Sequence, residues 1–314
     1  MKKITKVKLL FWLAIGVLIT TTSCKKESIS KNLNENVDSN FVASQDFNNK
    51  KISKEFKDYW YANNAEITSY KLEQARYGEI RNGKAILIYV TEDFLPKKQV
   101  KADKNNTNNI AVLKLNAVKK FNTGMYPYSI MQSTFYPVSN NKHAIKVSSS
   151  IQEWCGHVYT QLNNKEQFEI MSHSYFENEG DTSFKINKTI LENELWTQLR
   201  IDPKSLPTGD LKIVPSFEYT RLRHIPIKAY KAVANLKNNT YSISYQELNR
   251  TISINFNTSF PYNILGWEET YKSGFGDRAK IMTTKATHIK TIKTAYWKKH
   301  DNKDVILRDT LQIN

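Results

Sequence analysis

Apolar and polar residues alternate along most of this chain. The clearest stretch has Tyr241, Ile243 and Tyr245 separated by Ser242 and Ser244, followed by Ile252, Ile254 and Phe256 interleaved with Thr251, Ser253 and Asn255. A period of two places alternate side chains on opposite faces, so these are two half-buried strands. Residues 247–250 join them with a connection of hairpin length, and Asn238-Asn239 marks a turn just upstream. The same pattern predicts strands over residues 84–91, 110–120, 143–151, 168–176, 211–223 and 280–298. No helix of crossover length recurs between them, which favours antiparallel pairing. The expected fold is all-β and mainly antiparallel, a large curved sheet or half-barrel.

Helical periodicity is scarce. Residues 53–61 suit a short helix. Thr189 and Glu192 have the spacing of a capping box, after which Leu191, Leu195, Trp196 and Leu199 share one face until Pro203 stops the pattern. A helix near 189–200 with one apolar face would plug or cap the sheet and bury Trp196.

A local echo runs through the strand pattern. Phe121-Asn122-Thr123 precedes Tyr126-Pro127-Tyr128-Ser129-Ile130, and Phe256-Asn257-Thr258 precedes Phe260-Pro261-Tyr262-Asn263-Ile264. It reads either as a duplication, with halves at about 65–200 and 205–314, or as two equivalent corners where strands begin. Proline fixes φ and lacks a donor, so each aromatic-Pro-Tyr belongs where a strand starts or bends. Tyr126, Tyr128, Phe260 and Tyr262 are therefore corner residues first, and ligand-binding candidates on an aromatic rim second.

The first residues depart from all of this. Lys2, Lys3, Lys6 and Lys8 precede an apolar run at 9–19, then small residues lead to Cys24. Basic, apolar and cleavage regions in that order are those of a secretory signal over 1–23, and the run is too short to span a bilayer as a helix. The cysteine after small residues resembles a bacterial lipobox, which implies lipidation of Cys24. Residues 24–51 are rich in Asn, Ser and Lys and poor in apolar residues, the composition of a flexible linker. The folded domain is then 52–314.

Charge and cysteine count narrow the function classes. The chain has 46 Lys and Arg against 30 Asp and Glu, and only four of the basic residues lie in 1–23, so a net of +12 belongs to the rest. A basic surface suits anionic lipid headgroups. Nucleic acid is an unfavoured partner for an exported chain without a reading module. With Cys24 acylated, Cys155 is the lone remaining thiol, and an internal disulfide is excluded.

Catalytic chemistry has one weak candidate. Glu153, Cys155 and His157 project from one face of a strand about 6–7 Å apart, long for a thiol–imidazole hydrogen bond, and no oxyanion element accompanies them. A lone cysteine is more often a small buried hydrophobe. Metal is not expected: His143, His157, His173, His224, His288 and His300 are scattered, without the spacing of a zinc site. No dinucleotide, phosphate-loop or hydrolase-elbow motif occurs, so no cofactor is implied.

The wording KDYWYANNAEITSYKLEQARYGEIRNGKAILIYVTEDF, KKFNTGMYPYSIMQSTFYPV, SIQEWCGHVYTQL and LENELWTQLR resembles a family of flavobacterial (Bacteroidota) envelope lipoproteins of unknown function. Some relatives carry the label septum formation inhibitor Maf, but the Ser-Pro-Arg-Arg motif of Maf enzymes is absent here. The resemblance implies a non-catalytic, lipid-anchored protein of the cell envelope, in the outer rather than the inner membrane. Its expected partners are the membrane through the acyl anchor and an apolar ligand, a lipid or another envelope component. The alternatives are a scaffold for a protein partner and, behind it, a hydrolase using Cys155 and His157.

Overall fold

The computed structural model describes residues 52–139 and 142–314. The expected signal over 1–23, Cys24 and the linker to 51 lie outside the described residues. The described residues form one compact unit.

The chain enters through α1 (Lys54–Trp60), whose Ser53 side chain accepts a hydrogen bond from the Phe56 amide at 3.1 Å. An antiparallel meander follows: β1 (Ala65–Arg76), β2 (Glu79–Leu95), the short β3 (Val100–Lys101), β4 (Ile110–Thr123), β5 (Tyr126–Pro137), β6 (Lys146–Glu153), β7 (Gly156–Asn164), β8 (Phe168–Ser174) and β9 (Thr182–Ile186). Next come β10 (Ile190–Leu191), α2 (Glu192–Ile201), β11 (Gly209–Val214) and α3 (Phe217–Arg223). The second meander is β12 (Tyr230–Lys237), β13 (Thr240–Tyr245), β14 (Arg250–Phe256), β15 (Ile264–Ser273) and β16 (Lys280–Thr294), and α4 (Ile306–Thr310) closes the chain.

All strands belong to one sheet. β16 pairs antiparallel with β1, which joins the two meanders, and the order runs from β10 at one edge to β9 at the other. The single parallel pair is β10 with β11. The sheet is curled but not closed. Its inner face packs Tyr70, Leu72, Leu87, Leu115, Ile243, Ile254 and Trp267 against Leu195 and Leu199 of α2. Near the two edges, Leu162, Phe168 and Ile170 meet Leu191, Val214 and Phe217, so side chains bridge where strands do not. The all-β, half-barrel expectation is thus what the chain adopts.

Several local expectations need correction. The strand expected over 211–223 stops at Val214; Pro215-Ser216 breaks it, and Ser216 caps α3 by accepting from the Tyr219 amide at 3.3 Å. β16 ends at Thr294, short of 298, where a 3₁₀ turn takes over at Tyr296–Lys298. Strand structure begins at Lys146 rather than at His143, and ends at Ser174 rather than at Phe176. The Thr189 capping box does not form, because the Thr189 hydroxyl donates to the Lys212 carbonyl at 2.7 Å. Instead, Glu194 accepts from the Leu191 amide at 3.1 Å.

The largest departure concerns α2 itself. A plug with one apolar face was expected, yet Glu192, Asn193, Glu194, Thr197, Gln198 and Arg200 are buried along with Leu195 and Leu199. Trp196, expected to be buried, is only half-buried. The helix therefore lies inside the curl, covered on every side.

Both copies of the aromatic echo are hairpin corners, between β4 and β5 and between β14 and β15. Counting along the alternating order β14, β15, β16, β1, β2, β4 shows that β14 and β4 run in opposite directions. The two corners therefore sit at opposite ends of the sheet.

Candidate functional site

The interior was the first place to seek a ligand, and buried charge fills it. Arg200, near the C-terminus of α2, makes a bidentate pair with Glu66 of β1 at 2.6 and 2.8 Å and donates its Nε to the Pro261 carbonyl at 2.9 Å. Its guanidinium lies over the rings of Tyr89 and Trp60, 4.7 and 5.0 Å from their centroids. At the other end of α2, Glu192 is clamped by Arg250 of β14 at 2.5 and 2.7 Å and by the Tyr245 hydroxyl at 2.8 Å. Arg250 also reaches Glu269 at 2.7 Å and stacks on Tyr219 at 4.0 Å. Burial alone would raise the Glu66 and Glu192 carboxyls; the facing guanidiniums overcome it and hold both below the ordinary carboxylate range. Glu218 of α3 goes the other way. Burial raises it although Lys119 sits 2.7 Å away.

What remains open beside α2 is small. Between α2, α3 and the sheet, a space of about 50 Å³ is lined by Arg76, Lys119, Glu218, Glu269, Trp196 and Trp267 among others. A few waters fit such a volume. An apolar ligand of ordinary size needs roughly 300 Å³ or more. Around α2 the interior is a polar lock, while a larger hollow of about 360 Å³ lies between α3 and the inward faces of β7, β8 and β9, lined by Val158, Thr160, Ser172, Phe184, His224 and Ile227.

The ligand-binding candidates divide between the two ends. Tyr128 is buried, stacked on Phe121 with ring centroids 5.0 Å apart, and its hydroxyl meets Arg76 and Tyr77 at 3.0 and 2.8 Å. Tyr126 is half-buried beside it. Phe260 and Tyr262 flank Pro261 at the other end, where Phe260 packs edge-on to Tyr59 at 5.5 Å. The Phe260-Pro261 bond is cis. These four are packed corners, and no shared ligand site unites them.

Glu153, Cys155 and His157 occupy the β6–β7 hairpin, but no cysteine–histidine pair forms. The Cys155 amide donates to the Glu153 carboxylate at 2.8 Å, while His157 pairs with the Ser150 hydroxyl at 2.9 Å. Hydrogen bonding and charge from Glu153 raise the exposed thiol above its ordinary value, the reverse of activation. Among the described residues, no three His, Cys, Asp or Glu side chains converge as a metal would require.

The feature that sequence inspection missed lies on an edge. Strand alternation brings the β15–β16, β1–β2, β4–β5, β6–β7 and β8–β9 connections to one end of the sheet, in that order. Four of them carry a large exposed apolar side chain, Phe275 (58 %), Met125 (84 %), Trp154 (67 %) and Tyr175 (75 %), and Ile80 (44 %) is exposed on β2 just past the β1–β2 turn. Neighbouring hairpins at one end are two strands apart, about 10 Å. The result is an arc of apolar side chains spaced along one end of the sheet. Local geometry forces them outward. In the two-residue turns Gly124-Met125 and Trp154-Cys155, between Thr123 and Tyr126 and between Glu153 and Gly156, the second and first residues respectively have nothing to fold back upon. The β1–β2 turn uses Tyr77 and Gly78 with φ of 56° and 78°, and a Cβ on Gly78 would lie 2.6 Å from the Arg278 carbonyl oxygen. That close approach locks two neighbouring hairpins of the arc together. Flanking charges are mixed in sign and partly paired, Arg81 with Glu79 at 2.7 Å and His224 and Arg221 with Glu179 at 2.7 and 3.3 Å.

No family model matches the chain, and no curated protein does. Among solved structures it is similar to a β-barrel-like protein of a domain of unknown function, DUF1849, from Brucella abortus. Identity is 8 %, the TM-score is 0.43, and the match spans 73 % of this chain and 97 % of that one. A likeness this distant leaves the functional reading to the molecule's own geometry.

Proposed function

We propose that this is a non-catalytic, lipid-anchored protein of the bacterial cell envelope, held through Cys24, that binds a protein partner of the envelope along the apolar arc. The observation that carries the reading is the arc itself: five successive hairpins at one end, four with an exposed Phe, Met, Trp or Tyr in the connection and one with Ile80 exposed on the strand just beyond it. Large exposed apolar patches on soluble domains mark interaction sites, and aromatic residues and Met are enriched at protein interfaces. The packing around α2 supports the same choice, because a helix pinned at both ends by buried ion pairs leaves only about 50 Å³ beside it.

The test uses a photo-crosslinking residue placed at Trp154 in the full chain, in cells. A discrete crosslinked protein is expected from position 154 and none from Thr287, exposed on the side wall of β16. Equal, diffuse crosslinking from both would remove the reading. The anchor is tested separately. Cys24→Ala should move the protein from the membrane to the soluble fraction and abolish incorporation of labelled fatty acid.

A further inference from the structure

At the end opposite the arc, where α1 leads into β1, the surface has a different chemistry. After β16 the chain turns back over the outer face of the sheet. Leu311 is buried there with Ala65, Ile67 and Val90, and Tyr296 and Ile313 pack against the same patch. This return holds Trp297, Val305 and Ile306 out to solvent at 41, 51 and 64 %. Exposed Lys298 and Lys299 follow Trp297 directly, and neither makes an ion pair with any described residue. Beside them, the excursion from β2 to β3 carries exposed Lys97, Lys98 and Lys101, and the Tyr296 hydroxyl feels the charges of both Lys101 and Glu92. Asp301, Asp304 and Asp309 share the return and Asp103 the excursion, so lysines outnumber acids without standing alone.

We infer that this end of the sheet lies on the anionic headgroups of the bilayer that holds the acyl anchor, with the lysines on phosphates and Trp297 in the interfacial layer. The inference rests on the proposed anchor for its geometry and on charge for its chemistry. Cys24 precedes Ile52 in the sequence, and the described chain enters at this end of the sheet, through Ile52 and α1 into β1. β1 runs from this end to the arc over 12 residues, roughly 40 Å at strand rise. An anchor at Cys24 lies on the side from which the chain enters, so the lysine end faces the membrane and the arc lies the length of β1 away. Trp and Lys with exposed aliphatic side chains are the residue types that settle at a lipid interface, and each lysine near an anionic surface strengthens binding about fivefold.

The experiment reconstitutes the mature, lipidated chain into neutral phosphatidylcholine vesicles and into vesicles with about a third phosphatidylglycerol, then measures flotation and the acetylation rate of each lysine by mass spectrometry. Flotation with both kinds is expected. Acetylation of Lys97, Lys98, Lys298 and Lys299 should slow about fivefold or more when the anionic lipid is present, while Lys120 and Lys272, exposed near the arc, should not change. Lys298→Glu with Lys299→Glu should remove the difference at the remaining lysines and leave flotation intact. Equal rates in both compositions, or slowing confined to Lys120 and Lys272, would overturn the inference. The anchor fails independently: a chain that floats only with anionic vesicles lacks the acyl group but keeps the lipid-binding surface, and one that floats with neither has lost both.

Discussion

The two ends of the curled sheet differ in how they meet solvent. One end carries apolar tips set at hairpin spacing, among charges of both signs that are partly paired. The other is lysine-rich and built on a return of the chain that has its own small core. Between them lies α2, its ionised side chains facing inward: Glu192 is bound near the arc and Arg200 near the chain entry. A half-barrel that carried a lipid would invert this plan, with an apolar, empty interior and an inert rim. The difference teaches that exposed apolar and lysine-rich surfaces gather at the two ends while ion pairs pin α2 between them, which is why the proposed recognition is assigned to the ends.

The comparison breaks most readily at the interior. Arg250→Ala leaves Glu192 and Glu269 buried without their cation and should cost about 3–5 kcal/mol, measured by denaturant unfolding. A loss below about 1 kcal/mol would mean that the helix is loosely held and the interior can open. Leu199→Ala, which removes a fully buried side chain from the same helix, should cost about 2–5 kcal/mol. Comparable losses from the two would show that charge and packing hold α2 together.

Acid should act on the same clamp. Glu66 and Glu192 have folded-state carboxyls below the unfolded value, so their stabilisation is complete above the ordinary carboxylate pKa of about 4.3. It is lost as pH falls below that value through their folded-state values. Glu218, raised by burial, has the opposite sign. Stability measured from pH 7 downward should therefore hold until the carboxylate range and then drop, and Glu66→Gln should flatten the drop. An unchanged slope in Glu66→Gln would remove the Arg200 pair from the account.

The smallest expected effect on stability belongs to the arc. Trp154→Asp with Phe275→Asp alters exposed tips and should leave unfolding within about 0.5 kcal/mol of the parent, while abolishing the partner crosslink described above. A large destabilisation would make the tips structural and weaken the contrast between edge and interior.

Much of the architecture was legible in the chain. Alternation located β6, β8, β13 and β14, where apolar and polar positions take turns, and runs rich in β-branched residues located β2, β4 and β16, although β2 carries Ile86, Ile88 and Val90 on its outer face and β16 buries Thr284 and Ala286. β5, β7 and β12 were less visible, since Ser, Gln, Thr, Asn and Ala occupy many of their positions. α3 was taken as strand although Ser216 and Glu218 mark a helix start, because Leu211, Ile213 and Val214 run into it. The charged interior was hidden for a different reason. Glu192 and Arg200 occupy what the helical pattern assigns to solvent, and only the sheet curling over α2 brings Arg250 and Glu66 to meet them. The arc was hidden too, because Met125, Trp154 and Phe275 are lone apolar residues in turns, unremarkable until strand order places them side by side.

Oxidative footprinting of the full chain in native envelopes, compared with the purified protein, tests the central claim most directly. Met125, Trp154 and Tyr175 should be oxidised several-fold more slowly in the envelope, with half-buried Trp196 in the interior unchanged. Equal oxidation of the arc in both settings, or protection confined to Trp196, would contradict the account and return recognition to the inside of the sheet.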